Sequence, residues 1–211
     1  MADNYLEKRY DECFNNPHPK VKRVGPTVDE LLLRNRSCRG YMKEFVVTDV
    51  MLRQIASVNS RIPSARNQQV LRFKLVTDST ESDIILSNIR MGAALPELRL
   101  PKSGQEPGAF IVVCSTIDPN PMVYIDLGIS LQSMLLKANE MGLSGLIIQA
   151  FNHEAIQDRL HLPLQPIAVL AIGKAAEKRE IKPINAGESQ TYYREGEIHY
   201  VPKIKPEQLI I

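Results

Sequence analysis

A hydroxyl (Ser64), a guanidinium (Arg66) and three carboxamides (Asn67, Gln68, Gln69) stand together in Pro63-Ser64-Ala65-Arg66-Asn67-Gln68-Gln69. The stretch has no thiol, carboxylate or imidazole, so it is equipped to hold a polar ligand rather than to attack one. Read alone, it serves equally as a polar turn between a helix and a strand. A second candidate is Arg34-Asn35-Arg36-Ser37-Cys38-Arg39. Its guanidinium groups suit a phosphate, because that pairing is charge-assisted and often bidentate. The plain alternative is a charged helix end. The third candidate is Lys203-Ile204-Lys205, whose two amines share one face if the segment is a strand.

These stretches need elements to position them. Thr27-Val28-Asp29-Glu30 has capping-box spacing and predicts a helix through Leu33, which delivers the arginine-rich stretch. Thr48 predicts the cap of a second helix with Met51, Leu52, Ile55 and Val58 on its apolar face, leading into the Pro63 loop. A strand over 70–77 and a helix over about 80–89 follow, then a proline- and glycine-rich loop over 90–108 that could border a site. Ala109 to Ser115 reads as a continuous apolar strand, central in a sheet. Pro121 marks the start of a long helix running to about Met141. Its polar residues Asp126, Ser130, Ser133, Lys137 and Glu140 form one narrow stripe. Such a helix has to be covered on nearly every side, either in the core of a monomer or against a partner subunit. Gly142 to Gly145 end it, and the apolar Leu146-Ile147-Ile148 follows. Asn152 caps a short helix through His161, and a strand over 166–174 comes next. Residues 1–26 read as an N-terminal arm, with Leu6, Tyr10 and Cys13 on one face of a short helix, and 27–211 as one domain.

At 211 residues the chain suits one large domain with a substantial core. Its net charge of +2 and its scattered basic residues give no argument for nucleic acid. Cys13, Cys38 and Cys114 are far apart and odd in number, which disfavours a disulfide scaffold and suits the reducing cytoplasm. The charged N-terminus lacks a signal-peptide pattern, and no apolar run is long enough to span a membrane. His18, His153, His161 and His199 lack metal-ligand spacing, and no phosphate-binding glycine motif is present.

From about Asp29 to Ile211, four stretches in order resemble the FMN-dependent nitroreductase family. Arg36-Ser37-x-Arg39 is similar to the last three positions of its basic-basic-Ser-x-basic stretch, with Asn35 where the family usually has the first arginine. Pro63-Ser64-Ala65-x-Asn67-x-Gln69 is similar to its flavin-contacting signature, with Val70-Leu71 where the family usually has Pro-Trp. Ile147-Ile148-Gln149-Ala150 matches the segment whose backbone faces the flavin's central ring, and Lys203-x-Lys205 the basic pair at the FMN phosphate. The resemblance implies an α+β fold, a mainly antiparallel central sheet flanked by helices, in an intertwined homodimer whose tail over 201–211 packs on the partner. It also implies a site divided between subunits, with the Arg36 region and tail lysines from one and the Pro63 loop from the other. The implied cofactor is FMN, reduced by NADH or NADPH and reoxidised by nitroaromatics, quinones or similar small-molecule acceptors in a ping-pong mechanism. Other flavin chemistry on the same fold, such as reductive dehalogenation or flavin destruction, and non-catalytic flavin binding are the alternatives. The flavin carries the redox chemistry in this reading, so no catalytic acid, base, nucleophile or metal is expected of the chain.

Overall fold

A computed structural model of the chain describes residues 25–92, 98 and 100–211. The expected arm and its short helix therefore lie outside the described residues, except for the arm's last two. The capping box forms as its spacing predicts. The Thr27 hydroxyl accepts from the Glu30 N–H at 3.2 Å, and the Glu30 carboxylate accepts from the Thr27 N–H at 2.8 Å. It opens α1 (Val28–Arg34), whose Val28, Leu32 and Leu33 stay exposed. Thr48 caps α2 (Asp49–Ala56), which buries Leu52 and Ile55 and passes through a 3-10 turn (Ser57–Ser60) into the Pro63 loop.

Four strands form the central sheet: β1 (Leu71–Val76), β2 (Ala109–Ser115), β3 (Ser144–Ile148) and β4 (Gln165–Gly173). Their order is β1-β2-β4-β3, and every neighbouring pair is antiparallel. All seven residues of β2 are buried, because the sheet is covered on both faces. Ile111 and Val113 pack with Leu52 and Ile55 of α2 and with Leu127, Leu131 and Met134 of α4 (Pro121–Glu140). Phe110, Val112 and Cys114 pack on the other face with Ile85 of α3 (Ser79–Leu86) and Ile156 of α5 (His153–Arg159). The period-two alternation of a strand thus serves two cores, which is why β2 reads as an unbroken apolar run.

Three findings differ from the sequence expectations. α5 ends at Arg159 rather than His161, and His161 leaves helical geometry with a φ of 51°. The C-terminal region forms a second sheet of β5 (Lys178–Ile184), β6 (Tyr193–Glu195) and β7 (Ile198–Ile204) in the order β5-β7-β6. In it β7 lies parallel to β5 and antiparallel to β6. The third difference concerns α4, which is not covered on nearly every side within one chain. Asp126 and Ser130 point inward, at 5% and 0% exposure, while Met122, Tyr124 and Ile125 are each about half exposed. The polar stripe can be buried because the segment before β1 supplies partners: the Asp126 carboxylate accepts from the Ala65 N–H at 2.8 Å, and Ser130 donates to the Asn59 side-chain carbonyl at 2.6 Å. Among the described residues, no helix is long and apolar enough to cross a membrane.

Candidate functional site

Five of the residues singled out from the sequence meet in one basin of about 270 Å³: Arg36, Ser37, Arg39, Ile147 and Lys203. The arginine-bearing segment follows α1 and is held on several sides. Its Cys38 N–H donates to the Gly145 carbonyl of β3 at 3.0 Å, and the Asn35 amide donates to Gln132 of α4 at 3.1 Å. Arg179 of β5 donates to the Arg36 carbonyl at 2.6 Å and to the Ser144 hydroxyl at 2.9 Å. Glu177, just before β5, accepts from the Arg39 N–H at 2.7 Å with one oxygen and from the Arg194 guanidinium with the other. Two sheets and α4 thus fix one irregular segment, which leaves the Arg36 and Arg39 side chains to the basin.

The electrostatics suit an anion. Arg36 donates one Nη to the Leu32 carbonyl at the end of α1, but its Nε is buried without a hydrogen-bond partner. The Nε of Arg39 is likewise buried and unpartnered, with the guanidinium 4.7 Å from the centre of the Tyr192 ring. Burial, and then the nearby Arg179 charge, lower the pKa of Arg36, as an excess of positive charge requires. A buried donor without a partner costs about 1–3 kcal/mol, so two in one basin mark a place where an acceptor is to be supplied. The two described cysteines offer no rival chemistry. Burial pushes the Cys38 thiol up to about 12 and Cys114 up to about 11, so neither is a thiolate at neutral pH.

The Pro63 loop is elsewhere in the chain. Pro63, Ser64 and Gln69 line a second, more apolar cavity of about 300 Å³, together with Phe73, Asp126 and Ser130. The loop is strained: Arg66, Asn67 and Gln69 have positive φ of 51°, 54° and 50°. Asparagine tolerates this conformation, but arginine and glutamine seldom adopt it, and such strain clusters at ligand-holding segments. Side-chain bonds help to sustain it: Asp126 holds the Ala65 N–H, the Ser64 hydroxyl accepts from the Gln69 N–H at 3.2 Å, and the Gln69 amide donates to the Asn67 side chain at 3.1 Å. Replacing Asp126 with alanine should therefore release the loop. We expect a loss of about 1–3 kcal/mol in urea unfolding, from the orphaned N–H and the emptied side-chain site, with increased proteolytic cleavage near Arg66.

The remaining expected site residues are more dispersed. Ile148 is buried in β3, whereas Gln149 and Ala150 are exposed just beyond it. Ala150 lines a third cavity, of about 470 Å³, with Asn88, Arg90 and Phe151. Lys205 does not share the basin with Lys203. β7 ends at Ile204, so alternation stops there, and the Lys205 amine donates to the Asn185 side chain at 3.0 Å. Reading the sequence missed His199 and Val201, which line the basin two and four residues before Lys203. The strand period would have found both. It also missed Glu177, Arg179 and Asp126, whose roles depend on contacts distant in sequence.

The model of the family described as the nitroreductase family matches residues 32–174, more than half of the chain. The chain belongs to the nitroreductase family. The match spans the Arg36 segment, the Pro63 loop and the end of β3, and stops before Lys203. Solved structures agree on the nitroreductase fold. A nitroreductase family protein from Clostridium difficile 630 is 22% identical, with 72% of this chain and 86% of that one covered at a TM-score of 0.59. An FMN-dependent nitroreductase from Clostridium difficile R20291 is 23% identical, with 71% and 88% covered and a TM-score of 0.58. A protein from Exiguobacterium sibiricum 255-15, solved in complex with FMN, is 15% identical, with 74% and 92% covered and a TM-score of 0.60. No curated protein matches the chain.

Proposed function

We propose that this nitroreductase family member is a cytoplasmic, homodimeric FMN-dependent oxidoreductase that uses NADH or NADPH to reduce nitroaromatics, quinones or similar acceptors in a ping-pong mechanism. The observation that carries the reading is the basin, where two buried unpartnered guanidinium nitrogens stand with Ser37 and Lys203. That donor set fits the phosphate of FMN, since Arg36, Arg39 and Lys203 are cations and Ser37 can donate a hydroxyl. Bound FMN supplies the redox chemistry, accepting reducing equivalents from the nicotinamide and passing them to the acceptor.

The chain's own residues bind and orient. Ile147 adds an exposed apolar surface to the basin, and the exposed Gln149 and Ala150 just beyond β3 offer their backbone N–H groups to a flavin ring in this reading. Ser64, Asn67 and Gln69 of the partner's loop complete the polar contacts in this reading, with Pro63 and Ala65 shaping the loop. Lys205, one residue beyond β7, would have to leave Asn185 to add its positive charge at the phosphate end. Residues 27–211 act as one FMN-binding domain. The dimer is supported by the exposed Met122, Tyr124 and Ile125 of α4, and the packing of tail 201–211 on the partner by the exposure of Leu209, Ile210 and Ile211.

The purified protein should be yellow and release FMN on denaturation. NADH or NADPH should bleach the bound flavin, and a quinone or nitroaromatic should restore its colour. A protein that takes up no added FMN overturns the reading, and one that binds FMN without bleaching by either nicotinamide is a flavin binder rather than a reductase.

A further inference from the structure

His199 forms part of the basin wall with Val201 and Lys203, yet it is 1% exposed and neither Nδ1 nor Nε2 has a hydrogen-bond partner. Buried polar groups in folded proteins are almost always paired, so an unpaired imidazole in a ligand basin points to a partner that arrives with the ligand. Its surroundings identify the chemistry of that partner. Arg179 of β5 and Arg194 of β6 stand opposite His199 in the sheet register, and Arg39 and Glu177 approach from the segments before the sheet. The Tyr192 ring lies 5.1 Å away. Three guanidinium groups against one carboxylate make a positive field, which an anion would offset.

We propose that His199 is a further binding residue of this basin, taking up a proton from solvent and donating a ring N–H to the phosphate group that Arg36, Arg39 and Lys203 attract. The inference rests on the FMN reading only for the identity of the phosphate carrier. In the ligand-free chain, burial holds the imidazole below its usual pKa. Glu177 raises it, while Arg39, Arg194 and Arg179 lower it further. A phosphate dianion at the arginines reverses the balance, because opposite charge favours the protonated ring. Proton uptake then accompanies binding. Affinity is greatest below the pKa that His199 has in the ligand-free chain, and it falls as pH rises from there to the higher pKa of the complex, above which it levels off.

The test uses the full-length protein freed of flavin, with FMN binding measured above about pH 6.5, where its phosphomonoester is largely dianionic, and the NMR titration carried to lower pH so that it spans the ligand-free His199 midpoint. The His199 ring protons are followed by NMR against pH, with and without inorganic phosphate, and assigned by their absence in His199→Gln. FMN binding is measured by calorimetry in two buffers of different ionisation heat. We expect phosphate to raise the His199 midpoint, and FMN binding to take up a fraction of a proton. In His199→Gln the uptake should vanish, and affinity near neutral pH should fall roughly tenfold, the weight of one charge-assisted hydrogen bond. An unmoved midpoint, or a variant that keeps the wild-type affinity and pH slope, overturns the inference. If His199→Gln does not fold, the wild-type titration decides, with the ring assigned through its contact to Tyr192. A midpoint raised by phosphate in a protein that ignores FMN would sustain the role of His199 and remove the FMN reading. Tight FMN binding with an unmoved His199 would do the reverse.

Discussion

A heterodimer of one Arg36→Ala chain and one Asn67→Ala chain should bind about half as much FMN as the wild type, although each variant homodimer binds poorly at both sites. The expectation comes from where the chain puts the two sets of residues. Arg36, Ser37, Arg39 and Lys203 line one basin, and the Pro63 loop lines another cavity of the same chain. Both cavities adjoin α4, with Gln132 and Leu135 in the first and Asp126 and Ser130 in the second. The exposed apolar face of that helix is the surface by which a second copy would bring its own loop to the basin. Under the divided-site proposal, one site of the heterodimer carries both defects and the other carries neither. Removing one charged or ligand-facing hydrogen bond should weaken FMN by roughly ten- to a hundredfold in either homodimer. With the two chains differently tagged and the heterodimer isolated, flavin fluorescence quenching should resolve one wild-type site. Two equally weakened sites would mean that each loop serves its own subunit. A protein that remains monomeric at micromolar concentration would remove the dimer altogether.

The sequence carried the local part of this architecture well and the long-range part poorly. Capping residues act within one turn, so Thr27, Thr48 and Asn152 mark helix starts that the structure reproduces. The apolar run of β2 is explicit because both faces of the strand are buried. Periodicity also revealed the polar stripe of α4, but not which way it faces. That depends on Asn59 and Ala65, more than sixty residues earlier, which turn Asp126 and Ser130 into satisfied buried groups.

The same limit separates the readable and unreadable parts of the site. The Arg36 stretch and the Pro63 loop stand out by residue type alone. The strain of Arg66, Asn67 and Gln69 does not, since nothing in a single arginine or glutamine announces positive φ. His199 looked unremarkable because its burial is set by two strands pairing on either side of it, one parallel and one antiparallel. Lys205 shows the opposite error. A spacing of two suggests a shared face only while the strand lasts, and β7 stops at Ile204.

Replacing Gly145 with alanine should give the largest loss of stability among single-methyl additions to the described sheet and its surroundings, and should empty the site as well. A Cβ built at this position would lie 2.6 Å from the Ala171 carbonyl oxygen, 2.7 Å from Leu135 Cδ2 and 3.1 Å from Ile172 Cδ1. The first of these is backbone of the paired strand β4, which cannot rotate away, and the second belongs to α4 packed on the same core. Relief requires β3 to move off β4 or α4 to lift. Overpacking of this kind costs about 1–3 kcal/mol and sometimes more, and contact with fixed backbone places Gly145→Ala near or above the upper figure. For a chain of this size that lowers the melting temperature by roughly 6–12 °C. The site is affected because the Gly145 carbonyl accepts from the Cys38 N–H, between Arg36 and Arg39. A displaced β3 therefore shifts both guanidinium groups, and FMN binding should weaken even in the fraction that folds. Gly108→Ala is the control, since a Cβ there meets its nearest neighbours at 3.5 and 3.6 Å, ordinary contact distances, and should leave both melting and FMN binding close to wild type. If the two variants melt alike, the close approach of β3 to β4 at Gly145 is refuted, and with it the account of how the Arg36 segment is held against the sheet.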